Sequence, residues 1–82
     1  MEDITTGEYV EFKREKAVGR KTYTVFVSSN KTHEYLGTIN WYSGWRRYVY
    51  HPADDTFYDE KCLKEITIYI KGLMEIQKAI NA

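Results

Sequence analysis

Large apolar and polar side chains alternate along most of the chain, then give way to a longer period near its end. Successive side chains of a strand point to opposite faces, so a period of two marks a sheet with one buried face. Between Glu8 and Glu15, Val10 and Phe12 share one face, and Tyr9, Glu11 and Lys13 share the other. Thr22–Ser28 is rich in β-branched and aromatic residues, which suit a pleated, half-buried surface. Tyr23, Val25 and Val27 fall together there, opposite Thr24, Phe26 and Ser28. Ala17–Lys21, with Gly19, reads as a loop, and Ser28–His33 as a turn.

The clearest hairpin lies around Ser43-Gly44, a turn dipeptide between two aromatic runs. A two-residue turn there opposes Tyr42 to Trp45, Trp41 to Arg46, Asn40 to Arg47 and Ile39 to Tyr48. The pairs sort onto two faces. One holds Gly37, Ile39, Trp41, Tyr48 and Tyr50 and is expected to be the core face. The other holds Thr38, Asn40, Tyr42, Trp45, Arg47 and Val49. Gly37 leaves a space on the core face that Tyr50 or a helix can fill. Arg46 opposite Trp41 is expected to form a cation–π pair. His51-Pro52 ends the sheet, because proline cannot extend a central strand.

From Phe57 to Ile80 the period lengthens to that of a helix. Cys62, Leu63, Ile66, Tyr69, Ile70, Leu73, Ile76 and Ile80 fall on one stripe; Lys61, Lys64, Lys71, Glu75 and Lys78 lie off it, and Ile68 is expected to be exposed. Thr56 has the character of an N-cap, with Asp59 three residues on and Glu60 adding favourable charge. The elements predict an α+β fold: a four-stranded antiparallel meander sheet with one C-terminal helix packed on one face (ββββα). Residues 1–82 are expected to form a single domain, with 1–7 a mobile N-terminus and 57–80 the helix. One helix covers one face, so the other is bare unless a second copy covers it.

Composition narrows the function classes. A chain of 82 residues holds one core, and 43% hydrophobic with 16% aromatic residues is too apolar for disorder. Zero net charge removes any global attraction to nucleic acid or membrane. Locally the balance differs: Lys13, Arg14, Lys16, Arg20, Lys21, Lys31, Arg46 and Arg47 stand against Glu15 and Glu34, whereas residues 1–12 are acidic. Cys62 has no second cysteine to pair with, as in a reducing compartment. No apolar run is long enough to span a bilayer, and the acidic start is unlike a signal peptide. A cytoplasmic location and no membrane partner are expected.

Little here points to catalysis. His33 and His51 lack a second ligand at metal spacing, and Cys62 lies on the apolar stripe. Asp54-Asp55 and Asp59-Glu60 suit the start of a helix, and no phosphate-binding loop is present. Ser28, Ser29 and Ser43 have no base nearby in the sequence. The expectation is a protein that is not an enzyme, with no metal and no cofactor. What remains is Asn40–Tyr48, where aromatics interleave with two arginines. Tyr42, Trp45, Arg46 and Arg47, with Phe26 and Asn40 beside them, are the candidate binding residues. Such side chains serve simple packing, a protein interface with a foreign partner or a second copy, or the stacking of single-stranded nucleic acid.

The run Tyr35-Leu36-Gly37-Thr38-Ile39-Asn40-Trp41, then Trp45-Arg46-Arg47-Tyr48-Val49-Tyr50-His51-Pro52, Thr56-Phe57 and Cys62-Leu63, resembles small phage, prophage and mobile-element proteins with an L-G-x-I-x-W, W-R-x-Y and C-L-x-x-I pattern. The resemblance covers roughly residues 22–74. It implies stoichiometric binding to a host macromolecule in the host cytoplasm, including inhibition of a host defence system. The ββββα order is also similar to positive-cofactor and PUR-repeat domains, which implies single-stranded nucleic-acid binding on a sheet face and a homodimer. No binding residue of those domains maps onto a numbered position here.

Overall fold

Five strands, one more than the pattern predicts, pair antiparallel in chain order, and one helix follows. The computed structural model describes residues 3–16, 19 and 21–81. They form β1 (Asp3–Thr6), β2 (Val10–Glu15), β3 (Thr24–Ser29), β4 (Tyr35–Tyr42), β5 (Arg47–Pro52) and α1 (Glu60–Asn81). The extra strand, β1, lies in the segment 1–7 that the pattern left outside the sheet. Met1 and Glu2 of that segment, and Ala17, Val18 and Arg20 of the expected loop, lie outside the described residues. The period-two signal comes from burial of one face, and β1 shows no such burial. It pairs through its backbone, Ile4 opposite Lys13 and Thr5 opposite Phe12, while the Ile4 side chain stays exposed.

The buried face is the one the alternation selects. Val10 and Phe12 on β2, Val25 and Val27 on β3, Ile39 on β4 and Tyr48 on β5 lie beneath Ile66 and Leu73 of α1. Each fully buried aliphatic side chain contributes about 1.5–3 kcal/mol. Tyr69 stacks on Phe12 with ring centroids 4.2 Å apart. Trp41 is half-buried and meets Tyr48 edge-on at 5.3 Å.

The hairpin keeps its faces but not its expected register. Tyr42 opposes Arg47, Trp41 opposes Tyr48 and Ile39 opposes Tyr50. Ser43–Arg46 forms a four-residue loop in which the Trp45 N–H donates to the Tyr42 carbonyl at 3.2 Å and the Arg46 N–H to the Ser43 carbonyl at 3.3 Å. A two-residue hairpin turn needs a left-handed residue at its first central position, which Ser43 disfavours. The longer loop confines that conformation to Arg46, at φ 53°. Every partner moves by two residues, and an even shift leaves each side chain on its face. The expected Arg46–Trp41 pairing is therefore replaced by Trp41–Tyr48.

The helix starts at Glu60 rather than Phe57, and its cap is Asp59 rather than Thr56. The Cys62 N–H donates to the Asp59 carboxylate at 2.9 Å, and this bond holds the Asp59 carboxyl below its ordinary range. Thr56 instead donates to the Ala53 carbonyl at 2.8 Å. Tyr58 explains the delay: its hydroxyl donates to the Leu36 carbonyl at 2.7 Å, tying the chain to β4 before the helix begins. Of the expected stripe, Leu63, Ile76 and Ile80 are exposed, and Gln77, which the stripe did not include, is buried. A single helix on a sheet buries a narrow seam, here Ile66, Leu73 and Gln77, and its flanks meet solvent. Ile68 is exposed, as expected.

The space beside Gly37 is filled by Tyr50, whose hydroxyl oxygen lies 2.8 Å from where a Cβ would stand. The Tyr58 hydrogen is directed at Leu36, so Tyr50 donates to Tyr58 across 2.6 Å. Burial, then this bond, pushes the Tyr50 hydroxyl far above its ordinary range. In the unfolded chain tyrosine ionises near pH ~10. The folded state keeps its proton beyond that point, so the stability linked to it is complete below pH ~10 and declines as pH rises further. Chemical unfolding between pH 9 and 11 is expected to show a shallower alkaline decline in Tyr50→Phe than in the parent. Equal slopes would remove Tyr50 as the source.

Candidate binding face

Alternation sends the remaining sheet side chains away from α1. Pairing across the strands builds a row Ile4, Lys13, Phe26, Thr38, His51 from one edge to the other. Beside it Asn40 opposes Val49 and donates through Nδ2 to the Thr24 hydroxyl at 3.3 Å. Tyr42 and Arg47 face each other where the hairpin loop begins. The backbone thus delivers Phe26, Asn40, Tyr42 and Arg47 to one surface.

Trp45 joins them by packing. Gly44 has no side chain, and a Cβ there would stand 3.0 Å from the Tyr42 ring. That absence lets the Tyr42 ring lie against the loop, where Trp45 meets it edge-on at 5.2 Å and 90°. Trp45 is still 66% exposed, Tyr42 48% and Phe26 37%. Edge-to-face aromatic pairs contribute about 0.5–1.5 kcal/mol beyond area burial. The pair is therefore assembled before any partner arrives. Arg46 projects from the loop, exposed.

Two shallow hollows mark the surface. One, of about 290 Å³, is lined by Tyr42, Trp45, Val49, Tyr50 and His51. The other, of about 360 Å³, is lined by Glu15, Lys16, Thr24 and Phe26. Lys13 and Arg47 share the face with Glu11 and Glu15, so its charge is mixed rather than uniformly basic.

Tyr9, which alternation from Glu8 placed on this outer face, turns toward the helix instead. It precedes β2, packs against the core, and has the Lys61 ammonium 5.8 Å from its ring centre. The sequence reading missed His51 and Ile4 on the outer face. Counting two residues on from Val49 finds His51; nothing in the pattern marks Ile4.

Among the described residues, no three His, Cys, Asp or Glu side chains gather as a metal site would require. Cys62 is half-buried, and burial followed by its bond with Asp59 pushes its thiol above the ordinary range. Among the described residues no helix is long and apolar enough to cross a membrane.

No family model matches the sequence, and no solved structure matches it. It is similar to the "uncharacterized 9.3 kDa protein" of Acholeplasma phage L2, with 38% identity over 76 residues. The match covers 93% of this chain and 97% of the phage protein, so the likeness extends over sheet and helix alike.

Proposed function

Because this chain belongs to the family of the small Acholeplasma phage L2 protein, we propose that it is a non-catalytic accessory protein that binds a host macromolecule stoichiometrically through the bare face of its sheet. The observation that carries this reading is the Tyr42–Trp45 pair, preassembled on Gly44 and largely open to solvent. Rigid aromatics beside an arginine are the side chains that dominate protein interfaces, because they bury much area at little entropic cost. The mixed charges of Lys13, Glu11, Glu15 and Arg47 suit a protein surface better than a phosphate backbone. The target class is a host protein in the host cytoplasm, with components of a defence system among the candidates.

A second reading is favoured by one arrangement: Lys13 opposes Phe26, and Arg47 opposes Tyr42, on an antiparallel sheet. Aromatic platforms flanked by cations stack bases and contact phosphates, which is how single-stranded nucleic acid is held.

One set of measurements separates the readings. Immobilised protein is expected to retain a host protein at near-equimolar amount, and Trp45→Ala is expected to weaken that capture at least tenfold while the variant stays folded, its unfolding midpoint lowered by no more than roughly 12 °C through loss of the Tyr42 contact. Labelled single-stranded DNA and RNA are expected to bind weakly at low salt. Saturable oligonucleotide binding that falls steeply with salt would instead establish the second reading. A mass that rises with concentration and is abolished by Trp45→Ala, with neither ligand bound, would make the face a homodimer seam. Capture indifferent to both Trp45→Ala and Phe26→Ala would sink the proposed face.

A further inference from the structure

β5 is the last strand of the sheet, so among the described residues one of its sides has no strand beside it. In an antiparallel ladder the backbone groups of alternate residues turn toward the neighbour and away from it. The Tyr48 N–H turns away from β4, because it reaches the Met74 sulfur on α1 at 3.4 Å. By the same alternation Tyr50 presents its N–H and carbonyl to that side. Pro52, next in the series, has no N–H and bounds the usable edge. A thioether is a weak acceptor, so the Tyr48 amide holds a partner that a carbonyl oxygen would improve on.

Between this edge and α1 runs an open groove of about 650 Å³. Tyr48, Ile70 and Met74 line it, together with Arg47, Lys71 and Lys78. Among the described residues that line it, these cations stand against a single carboxylate, Glu75, which lies 3.6 Å from Lys78. A strand edge facing a helix across an apolar, positively charged groove combines three things: unfilled backbone valence, a floor for alternate side chains, and a sign preference.

We infer that this groove receives an extended acidic segment of a partner protein, which adds to β5 as a further strand. Main-chain bonds give such strand addition its affinity, and pockets for alternate side chains give it selectivity. A carbonyl of the segment takes the Tyr48 N–H from the Met74 sulfur, and the freed thioether, flexible and polarisable, repacks against the incoming apolar side chains. Carboxylates of the segment meet Arg47 and Lys71. Arg47 borders both this groove and the bare sheet face, but Tyr48, Ile70, Lys71, Met74 and Lys78 belong to the groove alone, and this inference stands whether or not that face binds a host protein.

The test uses ¹⁵N-labelled full-length protein and three capped octapeptides. The first alternates Asp and Leu, the second is the same peptide N-methylated at alternate amides, and the third alternates Lys and Leu. The acidic peptide is expected to shift the Tyr48 and Tyr50 amides and the Met74 methyl saturably, and to slow exchange of the Tyr48 amide at least tenfold. The N-methylated and lysine peptides are expected to bind at least tenfold more weakly. Lys71→Glu, at an exposed helix position, is expected to weaken the acidic peptide at least fivefold without moving the unfolding midpoint. Absence of binding, equal binding of the N-methylated or lysine peptide, or shifts centred on Phe26, Tyr42 and Trp45 would each overturn the assignment.

Discussion

Replacing Gly37 with alanine is expected to cost roughly 3 kcal/mol or more and to lower the unfolding midpoint by roughly 12–24 °C. A Cβ at this position would collide with the His51 carbonyl oxygen and stand 2.8 Å from the Tyr50 hydroxyl. The first obstacle is backbone, held in the β4–β5 ladder by the pairing of Thr38 with His51. The second belongs to a ring whose hydroxyl is fixed on Tyr58. Neither moves without breaking hydrogen bonds, so the strain is not relieved by a rotamer change. Gly72 supplies the control, because a Cβ there meets nothing within 4 Å. In that helix interior the same glycine-to-alanine change is expected to stabilise the protein, by up to about 1 kcal/mol. Thermal melts of the two variants against the parent decide the matter. A Gly37→Ala variant within a degree or two of the parent would show that the β4–β5 pairing is looser than described.

The second large effect is expected at Glu65. Its carboxylate accepts from the Tyr9 N–H at 3.1 Å and from the Val10 N–H at 3.2 Å, and so reaches from the second turn of α1 to the start of β2. Gly7 permits the approach, since a side chain there would collide with the Glu65 carboxylate. Asn30 ties the same turn from the other side, its Nδ2 donating to the Gly7 carbonyl at 2.9 Å. Hydrogen bonds to a charged group contribute about 1.5–3 kcal/mol, so Glu65→Ala is expected to cost about 2–3 kcal/mol. Glu65→Gln keeps one acceptor and should cost less. Hydrogen exchange gives a local readout: the Tyr9 and Val10 amides are expected to exchange at least tenfold faster in Glu65→Ala. Unchanged protection of those two amides would show that solvent, not Glu65, satisfies them.

These sites show where the sequence was legible and where it was not. The faces of β2 to β5 could be read because each strand buries one side, and burial imposes alternation on residue choice. Phe26, Asn40, Tyr42 and Arg47 therefore fell on one surface by parity alone. Trp45 needed more, since its position depends on the loop and on Tyr42. The register of the hairpin was not legible, because Tyr42 opposite Trp45 and Tyr42 opposite Arg47 give the same two faces. β1 left no trace, having no buried face to pattern it. Glu65 was invisible for a different reason. A carboxylate bonded to amides 55 and 56 residues away has no periodic signature, and a helix wheel assigns it to solvent. Tyr58 displaced the helix start by a bond to Leu36, 22 residues earlier, which no capping rule anticipates.

Neighbouring strands pair in chain order, and the element that covers them comes last. During synthesis the sheet can therefore form before its cover exists. Val10, Phe12, Val25, Val27 and Ile39 meet water until α1 leaves the ribosome. For that interval the nascent chain is a ribbon with one bare apolar face, the kind of exposed surface through which partly folded chains associate. Arrival of α1 is then the step that makes the ribbon a protein, and the delay between the sheet and its helix sets how long the hazard lasts.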